Sequence, residues 1–317
     1  MAVLSFRETL GGIAHVDHHA HGILRAQPGT VEEFRALFSL GDYAAANVPY
    51  QQAVRVLAEQ LGCEPDEGAL FERRKSTDPD MYAALLMGTA GAELVLVDEG
   101  YPPAELSTGW EEIGRLSGCP SRPILRIEST PDRVANAREL GYIALKTIAA
   151  YRGGLDAPGP VVRAALETNE QSGDPLPVQV HTGFGDASLS LAKARPALLE
   201  PVIERHPSTN FVLLHCYPFV REAAWLAHVY PNVFIDLSLT MTHVWPPARP
   251  LAEALELGPV SKLLYGSDAV DTPELYLLAA IWWRDALAEV LPGDEAAARM
   301  ILSENARSLY RLNRRAE

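Results

Sequence analysis

Seven residues near the start of the chain, HVDHHAH at 15–21, hold four of its nine histidines. If this stretch is a strand, its period of two points Asp17, His19 and His21 in one direction. Imidazole nitrogens and a carboxylate are ligands that suit Zn²⁺, and also manganese, iron or nickel. The stretch alone fits a metal site or a piece of core, so later residues must decide.

Four more ionisable residues follow short apolar runs. Lys146 closes IALK, His181 closes VQVH, His215 closes VLLH, and Asp268 follows LLYGS. A single histidine at a strand end is usually an ordinary polar residue. If all these runs are parallel strands of one barrel, however, their ends meet at one mouth. The coincidence favours a metal centre there.

Lys146 is the unusual member of this set, because an ammonium group repels metal cations. Two roles fit its position. Carboxylation by carbon dioxide would turn it into an anionic bridge between two metals. Left unmodified, it would hold a carboxylate or an oxyanion of the substrate.

The runs that carry these residues read as strands. Most are continuously apolar, as in a parallel sheet covered on both faces, and stretches such as TPDRVANARELG (130–141) and FVREAAWLAHVYP (219–231) have helical spacing between them. The eight segments are 11–19, 91–100, 121–130, 141–150, 176–185, 210–219, 232–240 and 261–269. They predict an α/β fold, a (β/α)₈ TIM barrel. A doubly wound sheet is the rival, but no glycine-rich phosphate loop follows the first strand.

One interval is too long for a single crossover helix. Residues 22–90 contain three stretches with helical spacing, separated by glycine and proline. We predict a helical insertion after the first strand, within a single barrel domain spanning 1–317. Such an insertion is expected to overhang the active site, although packing on the side of the barrel is the alternative. The tail at 313–317 is expected to fray.

Composition narrows the function. The formal charge of −14 disfavours nucleic acid as a partner. A membrane-spanning helix is not expected, because the sequence has no run of about 18 apolar residues. Three well-separated cysteines and no secretory leader predict a reducing, cytoplasmic setting. The expected partner is a small-molecule substrate, and self-association into a homo-oligomer stays open.

Longer segments resemble a known family. VQVHTGFGD, LLHCYPFVREAAWLA, NVFIDLS and KLLYGSDA resemble the amidohydrolase superfamily, in its amidohydrolase-related (amidohydrolase 2) branch. GYIALKTIAAYRGGLD is similar to the fourth-strand segment of that branch, whose domain is also fused to glutamine synthetase in fungal developmental regulators and nodulin-like plant proteins. The resemblance covers nearly the whole chain, is weakest across 22–90, and implies a distorted (β/α)₈ barrel.

The resemblance also implies roles for the strand-end residues. His19 and His21 would hold the more buried metal with Asp268, while His181 and His215 would hold a second one, bridged by Lys146. In mononuclear members His181 serves the single metal, and His215 activates water or polarises the substrate. We expect one or two divalent ions, most simply two zinc ions, with Asp17 as a supporting partner behind the ligands.

The expected activity is that of a metal-dependent hydrolase. Metal-bound hydroxide would attack a carbonyl carbon, His215 would help to stabilise the oxyanion, and Asp268 would pass the proton to the leaving group. By analogy with the fused relatives, the substrate would be a small carboxylate-bearing amide, such as a γ-glutamyl amide, or a lactone. The alternatives are a metal-dependent decarboxylase of a small aromatic acid and a non-catalytic ligand-sensing barrel.

Three residues are candidates for substrate binding. Arg126 and Arg152 could clamp a carboxylate, and Tyr217 could donate to a substrate oxygen. For Arg126 an internal ion pair with Glu128 or Glu99 is equally consistent with the sequence.

The remaining histidines are expected to be incidental. His15 and His18 should be structural, with His18 pointing away from the mouth, and His206 and His228 should be solvated. His243 lies in a loop that faces the mouth and is the exception.

Overall fold

A single parallel sheet forms the centre of the molecule. The computed structural model describes residues 2–41 and 44–312, so the expectation for the tail at 313–317 falls outside it. Eight strands pair in strict chain order. They are β1 (His15–Ala20), β2 (Ala92–Asp98), β3 (Ser121–Arg126), β4 (Ala144–Thr147), β5 (Val178–His181), β6 (Phe211–Leu214), β7 (Val233–Asp236) and β8 (Leu263–Leu264).

The sheet closes on itself between its last and first strands. β8 is only two residues long, but the chain beyond it continues beside β1. The His18 amide donates to the Tyr265 carbonyl at 3.3 Å, and the Asp268 amide donates to the His19 carbonyl at 2.9 Å. Consecutive strand order and this closure confirm the predicted TIM barrel and exclude the doubly wound alternative.

Helices surround the barrel in the βα pattern. They are α1 (Ala2–Gly11), α2 (Val31–Ala36), α3 (Val48–Leu61), α4 (Glu67–Lys75), α5 (Pro79–Ala90), α6 (Trp110–Ser117), α7 (Pro160–Glu170), α8 (Glu200–Arg205), α9 (Val220–Val229), α10 (Ser238–His243), α11 (Ala248–Leu255), α12 (Glu274–Val290), α13 (Glu295–Arg299) and α14 (Asn305–Leu309). Short 3₁₀ helices occupy Ala44–Ala46, Pro131–Asn136, Ala149–Tyr151, Leu191–Lys193, Pro196–Leu199 and Val260–Lys262, and a π-helical turn occupies Met300–Glu304.

The helix predicted over 130–141 is wrong in type. The structure has only the 3₁₀ helix Pro131–Asn136 between β3 and β4. Val134 within it and Ala137 just after it are buried and three positions apart, which is the period of a 3₁₀ helix. The segment 219–231, by contrast, contains α9 as predicted.

The barrel interior shows which strand positions can reach the mouth. Leu96, Ile124, Ala144 and Val212, from β2, β3, β4 and β6, pack together in one buried layer. Strand residues alternate between the interior and the helix-facing side, so the residue two positions later also points inward. A side chain placed there lies one layer nearer to the carboxyl ends of the strands.

Helices α2 to α5 all lie between β1 and β2, in the interval 22–90. Their buried side chains form an apolar core shared with α12, which includes Phe34, Leu57, Leu86, Leu278 and Trp282. The insertion is therefore held to the barrel by packing of the same kind as the core itself. In the described part of the chain, no helix has the length and apolarity needed to cross a bilayer.

Candidate metal centre and active site

Inward-pointing polar residues form the layer above the apolar one. Asp98 is two positions beyond Leu96, Arg126 two beyond Ile124, and Lys146 two beyond Ala144. All three are buried. Strand alternation therefore delivers ionisable groups from three neighbouring strands to one place at the mouth.

β1 departs from this alternation. Its pairing with β2 shifts register between Asp17 and Ala20, and His18, not Asp17, points into the barrel. The His18 ring lies beneath the mouth, where Nε2 is 2.8 Å from Asp236 Oδ2 and Nδ1 is 3.0 Å from the Tyr310 hydroxyl. The expectation that His18 points away is therefore wrong, because an irregular strand breaks the period of two.

His19, His21 and Asp268 converge at the mouth. Among the described residues they form the one group of three whose metal-binding atoms all lie within 4.8 Å of one another. Asp268 Oδ1 is 2.8 Å from His19 Nε2 and 3.3 Å from His21 Nε2. All three side chains are buried.

The orientation of His21 and the charge of His19 suit metal binding. His21 Nδ1 lies 2.9 Å from the Tyr101 carbonyl, to which it can donate, leaving the lone pair of Nε2 directed at Asp268. Burial, with the nearby Lys146, lowers the pKa of His19 to about 3. A neutral imidazole at neutral pH is the form that ligates a cation.

The loop after β8 presents Asp268 in a strained backbone conformation. Asp268 has a φ of 49°, in the left-handed region, and Asp271 has a φ of 65°. The Asp17 carboxylate accepts a 2.9 Å hydrogen bond from the Ser267 amide and so braces this loop from below. Burial opposes ionisation of Asp268, but His215, His19 and His21 outweigh it and hold the pKa well below its usual range.

Lys146 lies against the same group. Its Nζ is 3.0 Å from His19 Nε2, and the side chain is fully buried. Burial lowers the pKa of Lys146 to about 8. The amine is thus placed beside the candidate ligands, where either of the two roles considered for it could operate.

His181 and His215 form a second pair of imidazoles, with ring centroids 4.6 Å apart. His181 Nε2 lies 3.1 Å from the Phe184 carbonyl, and His215 Nδ1 lies 2.9 Å from the Ser238 hydroxyl. The nearest approach of His215 Nδ1 to Asp268 Oδ2 is 3.9 Å. Burial lowers the pKa of both histidines, that of His215 to about 4, so both are neutral at pH 7.

The backbone of His215 is fixed in an unusual conformation. Its φ of 67° lies in the left-handed region. The Asp236 carboxylate accepts a 2.6 Å hydrogen bond from the His215 amide, and the Thr240 hydroxyl donates to its carbonyl at 2.6 Å. Asp236 therefore positions His215 while its other oxygen holds His18. Asp236 ends the run VFID of β7, so the strand-end rule identifies it from the sequence as well.

Arg126 is engaged in a buried ion pair, and its partner is Asp98. The Arg126 Nε donates to Asp98 Oδ2 at 3.0 Å. The sequence alternatives Glu128 and Glu99 are incorrect, since Glu128 instead accepts from the Thr147 hydroxyl at 2.6 Å. Burial opposes ionisation of Asp98, but Arg126, His21 and Lys146 hold its pKa well below the usual range. Asp98 closes the apolar run ELVLVD and could have been found by the strand-end rule.

A cavity of about 390 Å³ opens above these residues. His21, Lys146, His181 and Asp268 are among its lining residues, as are Arg126 and Arg152. Tyr217 is outside the cavity lining; its ring contacts Phe184 with centroids 5.6 Å apart. The structure thus brings both predicted arginines to the cavity and leaves the predicted tyrosine outside its lining.

The four remaining histidines have different surroundings. His15 packs its ring on Tyr265 with centroids 4.1 Å apart, and His243 lines the cavity. His228 is exposed, as expected. The expectation for His206 is wrong: it is buried, with Nδ1 2.8 Å from the Val202 carbonyl, because it closes the end of α8.

The donor set fits a divalent cation. Two imidazole nitrogens and one carboxylate oxygen are a common catalytic zinc set, which leaves further positions for water or substrate. Manganese or iron is also compatible with these ligands. His19, His21 and Asp268 are the residues that would hold the ion.

Comparisons with known proteins agree with the fold. The amidohydrolase family profile matches residues 108–312, more than half of the chain. The protein fluG of Emericella nidulans is 42% identical over 151 residues, which cover 43% of this chain and 18% of that protein. The chain therefore spans less than a fifth of the length of this relative.

Solved structures share the architecture over nearly the full length. A Lactobacillus casei protein provisionally described as a metal-dependent hydrolase aligns with a TM-score of 0.85 and 24% identity, covering 98% of this chain and 99% of its own. A uronate isomerase from Bacillus halodurans aligns with a TM-score of 0.68 and 13% identity, covering 97% and 96%. A dihydroxybenzoic acid decarboxylase from Polaromonas, solved with manganese, aligns with a TM-score of 0.56 and 14% identity, covering 96% and 98%.

These neighbours include a hydrolase, an isomerase and a decarboxylase, so the fold alone does not choose the reaction. The profile match, together with the barrel, shows the family. The chain belongs to the amidohydrolase family.

Proposed function

We propose that the protein is a metal-dependent hydrolase that cleaves an amide or lactone of a small carboxylate-bearing molecule. The observation that carries this is the convergence of His19, His21 and Asp268 within 4.8 Å, where His21 and Asp268 line a cavity. A divalent cation bound there would lower the pKa of water to about 7 and polarise a carbonyl group.

The chain's own residues would move the proton and hold the substrate. One Asp268 oxygen faces both imidazoles, so the second oxygen is free to accept a proton and return it to the leaving group. The Ser238 hydroxyl fixes the ring of His215, and this ring would polarise the carbonyl group of the substrate. Arg152 at the cavity wall would bind the substrate carboxylate.

The number of ions decides the role of Lys146. The single group of three among the described residues supports one tightly held ion. A second ion would require His181, His215 and a carboxylated Lys146. We propose zinc first, with manganese, iron or nickel as alternatives.

A decarboxylase acting on a small aromatic acid is the second candidate. The one-ion group favours it, and a decarboxylase with bound manganese has this fold. The two activities release different products, because hydrolysis liberates an amine or an alcohol and decarboxylation liberates carbon dioxide.

The test is a product assay on the metal-loaded protein. We expect carboxylate-bearing amides or lactones, γ-glutamyl amides among them, to be hydrolysed, with activity lost on chelation and restored by zinc or manganese. Release of carbon dioxide from aromatic acids, with every amide and lactone left intact, would contradict the hydrolase. A protein that binds ligands without turning any of them over would support the sensing barrel.

We also propose a cytoplasmic setting and a small-molecule substrate. Cys63, Cys119 and Cys216 are all unpaired, which is usual in a reducing compartment.

A further inference from the structure

The cavity has two chemically different walls. The insertion contributes Leu37 and Leu40, and the start of α12 contributes Leu275. The connection after β4 contributes Arg152 on the other side. In an eight-stranded barrel in chain order, β4 lies across the mouth from β8, so the apolar and the cationic wall face each other.

The apolar wall is built onto a rigid support. Arg74 of α4 donates to the Thr272 hydroxyl at 2.7 Å and to Glu274 Oε1 at 2.9 Å, and its Nε donates to Gln27 Oε1 at 3.1 Å. The Tyr82 hydroxyl donates to the same Glu274 oxygen at 3.0 Å.

The ion pair of this network is well shielded from water. Arg74 is 5% exposed and Glu274 is 0% exposed, so water does not compete for their contacts. The network joins the insertion to the segment that follows Asp268. The start of α12, which carries Leu275, is therefore fixed against the insertion, and such preorganisation favours binding.

Leu40 is the accessible part of this wall. It is 36% exposed, although it is a large apolar side chain at the rim of a cavity. Covering such a side chain with an apolar ligand group releases ordered water and favours binding. The wall thus suits an apolar group better than a polar one.

Asp271 limits the charge that this side of the cavity accepts. It lines the cavity beside Leu275, and its backbone is tied to the β1 end by two hydrogen bonds, from its amide to the Gly22 carbonyl and from the Leu24 amide to its own carbonyl. A second ligand carboxylate there would meet a like charge. On the other side Asp186 also lines the cavity, but Arg152 makes no ion pair with it or with any other described residue, so its guanidinium is available to a ligand carboxylate.

We propose that the substrate is an amphipathic monocarboxylate, with its carboxylate at Arg152 and an apolar group against Leu37, Leu40 and Leu275. The scissile bond would then lie between the two ends, above His19, His21 and Asp268. This inference rests on the proposed hydrolase and names the class of substrate that its cavity takes.

The test compares three eight-carbon acids that differ only at the far end. Octanoate, suberate and 8-aminooctanoate carry a methyl, a carboxylate and an ammonium group there. Calorimetry on the zinc-loaded protein should give octanoate a dissociation constant about tenfold lower than those of the other two. Equal binding of suberate would overturn the proposal. Tightest binding of 8-aminooctanoate would overturn it as well, since it would assign the far wall to Asp271.

Two variants with matched controls test the two walls. Leu40→Asn should remove most of the preference for octanoate, whereas Leu85→Asn, at an exposed leucine elsewhere on the insertion, should leave it unchanged. Arg152→Gln should weaken all three acids by about the same factor, and Arg205→Gln, at an exposed site on α8, should weaken none. An unchanged preference in Leu40→Asn or unchanged affinities in Arg152→Gln would contradict the assignment.

Binding and turnover separate this inference from the function it builds on. Selective binding of octanoate by a protein that hydrolyses nothing would overturn only the hydrolase. Hydrolysis without any preference for an apolar far end would overturn only the substrate class.

Discussion

The mouth of the barrel has two arcs of different character. The arc from β8 to β1 brings the Asp268 carboxylate between two imidazoles, with Oδ1 at 2.8 Å from His19 and 3.3 Å from His21. The arc from β4 to β6 carries Lys146, His181 and His215, and its imidazoles contact a carbonyl and a hydroxyl instead. Both arcs have buried histidines, but only the first combines them with an anion at ligand distance.

From this difference we predict that only the first arc holds a tightly bound ion. A carboxylate beside two imidazoles completes a common set of three zinc ligands. Asp268 supplies that carboxylate to the first arc, and the second arc would need a carboxylated Lys146 to match it. The predictions that follow test this contrast between the arcs.

The largest effect is expected from a ligand of the first arc. His21→Asn should lose the bound ion, because only two of the three ligand atoms remain. His181→Asn, the matched change in the second arc, should keep about one ion per chain. Metal analysis after dialysis measures both. Loss of all metal from both variants would show that the arcs share a single site.

The next effect concerns the proton carried by Asp268. Asp268→Asn keeps an oxygen ligand but removes the base, so turnover should fall by about 10²–10⁴-fold while metal stays bound. Steady-state kinetics and metal analysis on one preparation decide this. Near-normal turnover would assign the proton transfer to another group, and loss of metal would assign Asp268 to ligation alone.

A stability effect is expected between the two arcs, where Asp98 at the end of β2 pairs with Arg126 at the end of β3. Arg126→Met leaves the buried Asp98 carboxylate without its partner and should lower the free energy of unfolding by about 3–5 kcal/mol. The double variant Arg126→Met with Asp98→Asn should recover much of that loss, as measured by urea denaturation. If the double variant is no more stable than the single one, the ion pair is not the source of the effect.

The smallest effect is expected at the rim of the second arc. Arg152→Gln should raise the KM for a carboxylate-bearing substrate about tenfold. The side chain is exposed, so the free energy of unfolding should change by no more than about 0.5 kcal/mol. Kinetics with the substrate and with its neutral ester analogue make the comparison. An equal rise in KM for both would indicate a general distortion of the cavity.

Strand alternation explains how much of the site was predictable. Lys146 and His181 lie where a regular inward-pointing strand end puts them, and Asp98 and Asp236 obey the same rule although they were not singled out. His18 was misjudged because β1 shifts register after Asp17. The sequence did not predict the partner of Arg126, because Asp98 belongs to the neighbouring strand. The register between two strands cannot be read from the sequence of either strand alone.

The sequence by itself determined the fold class and the chemical types at the mouth. Apolar runs that each end in an ionisable residue indicate a covered parallel sheet. They also place those ionisable residues together at the carboxyl ends of its strands. The tertiary structure alone decided which of them touch. Ligand distances depend on the irregular register of β1 and on left-handed residues such as Asp268 and His215, both of which are held by contacts between distant segments. Such contacts arise only when the whole barrel closes, so no local pattern records them.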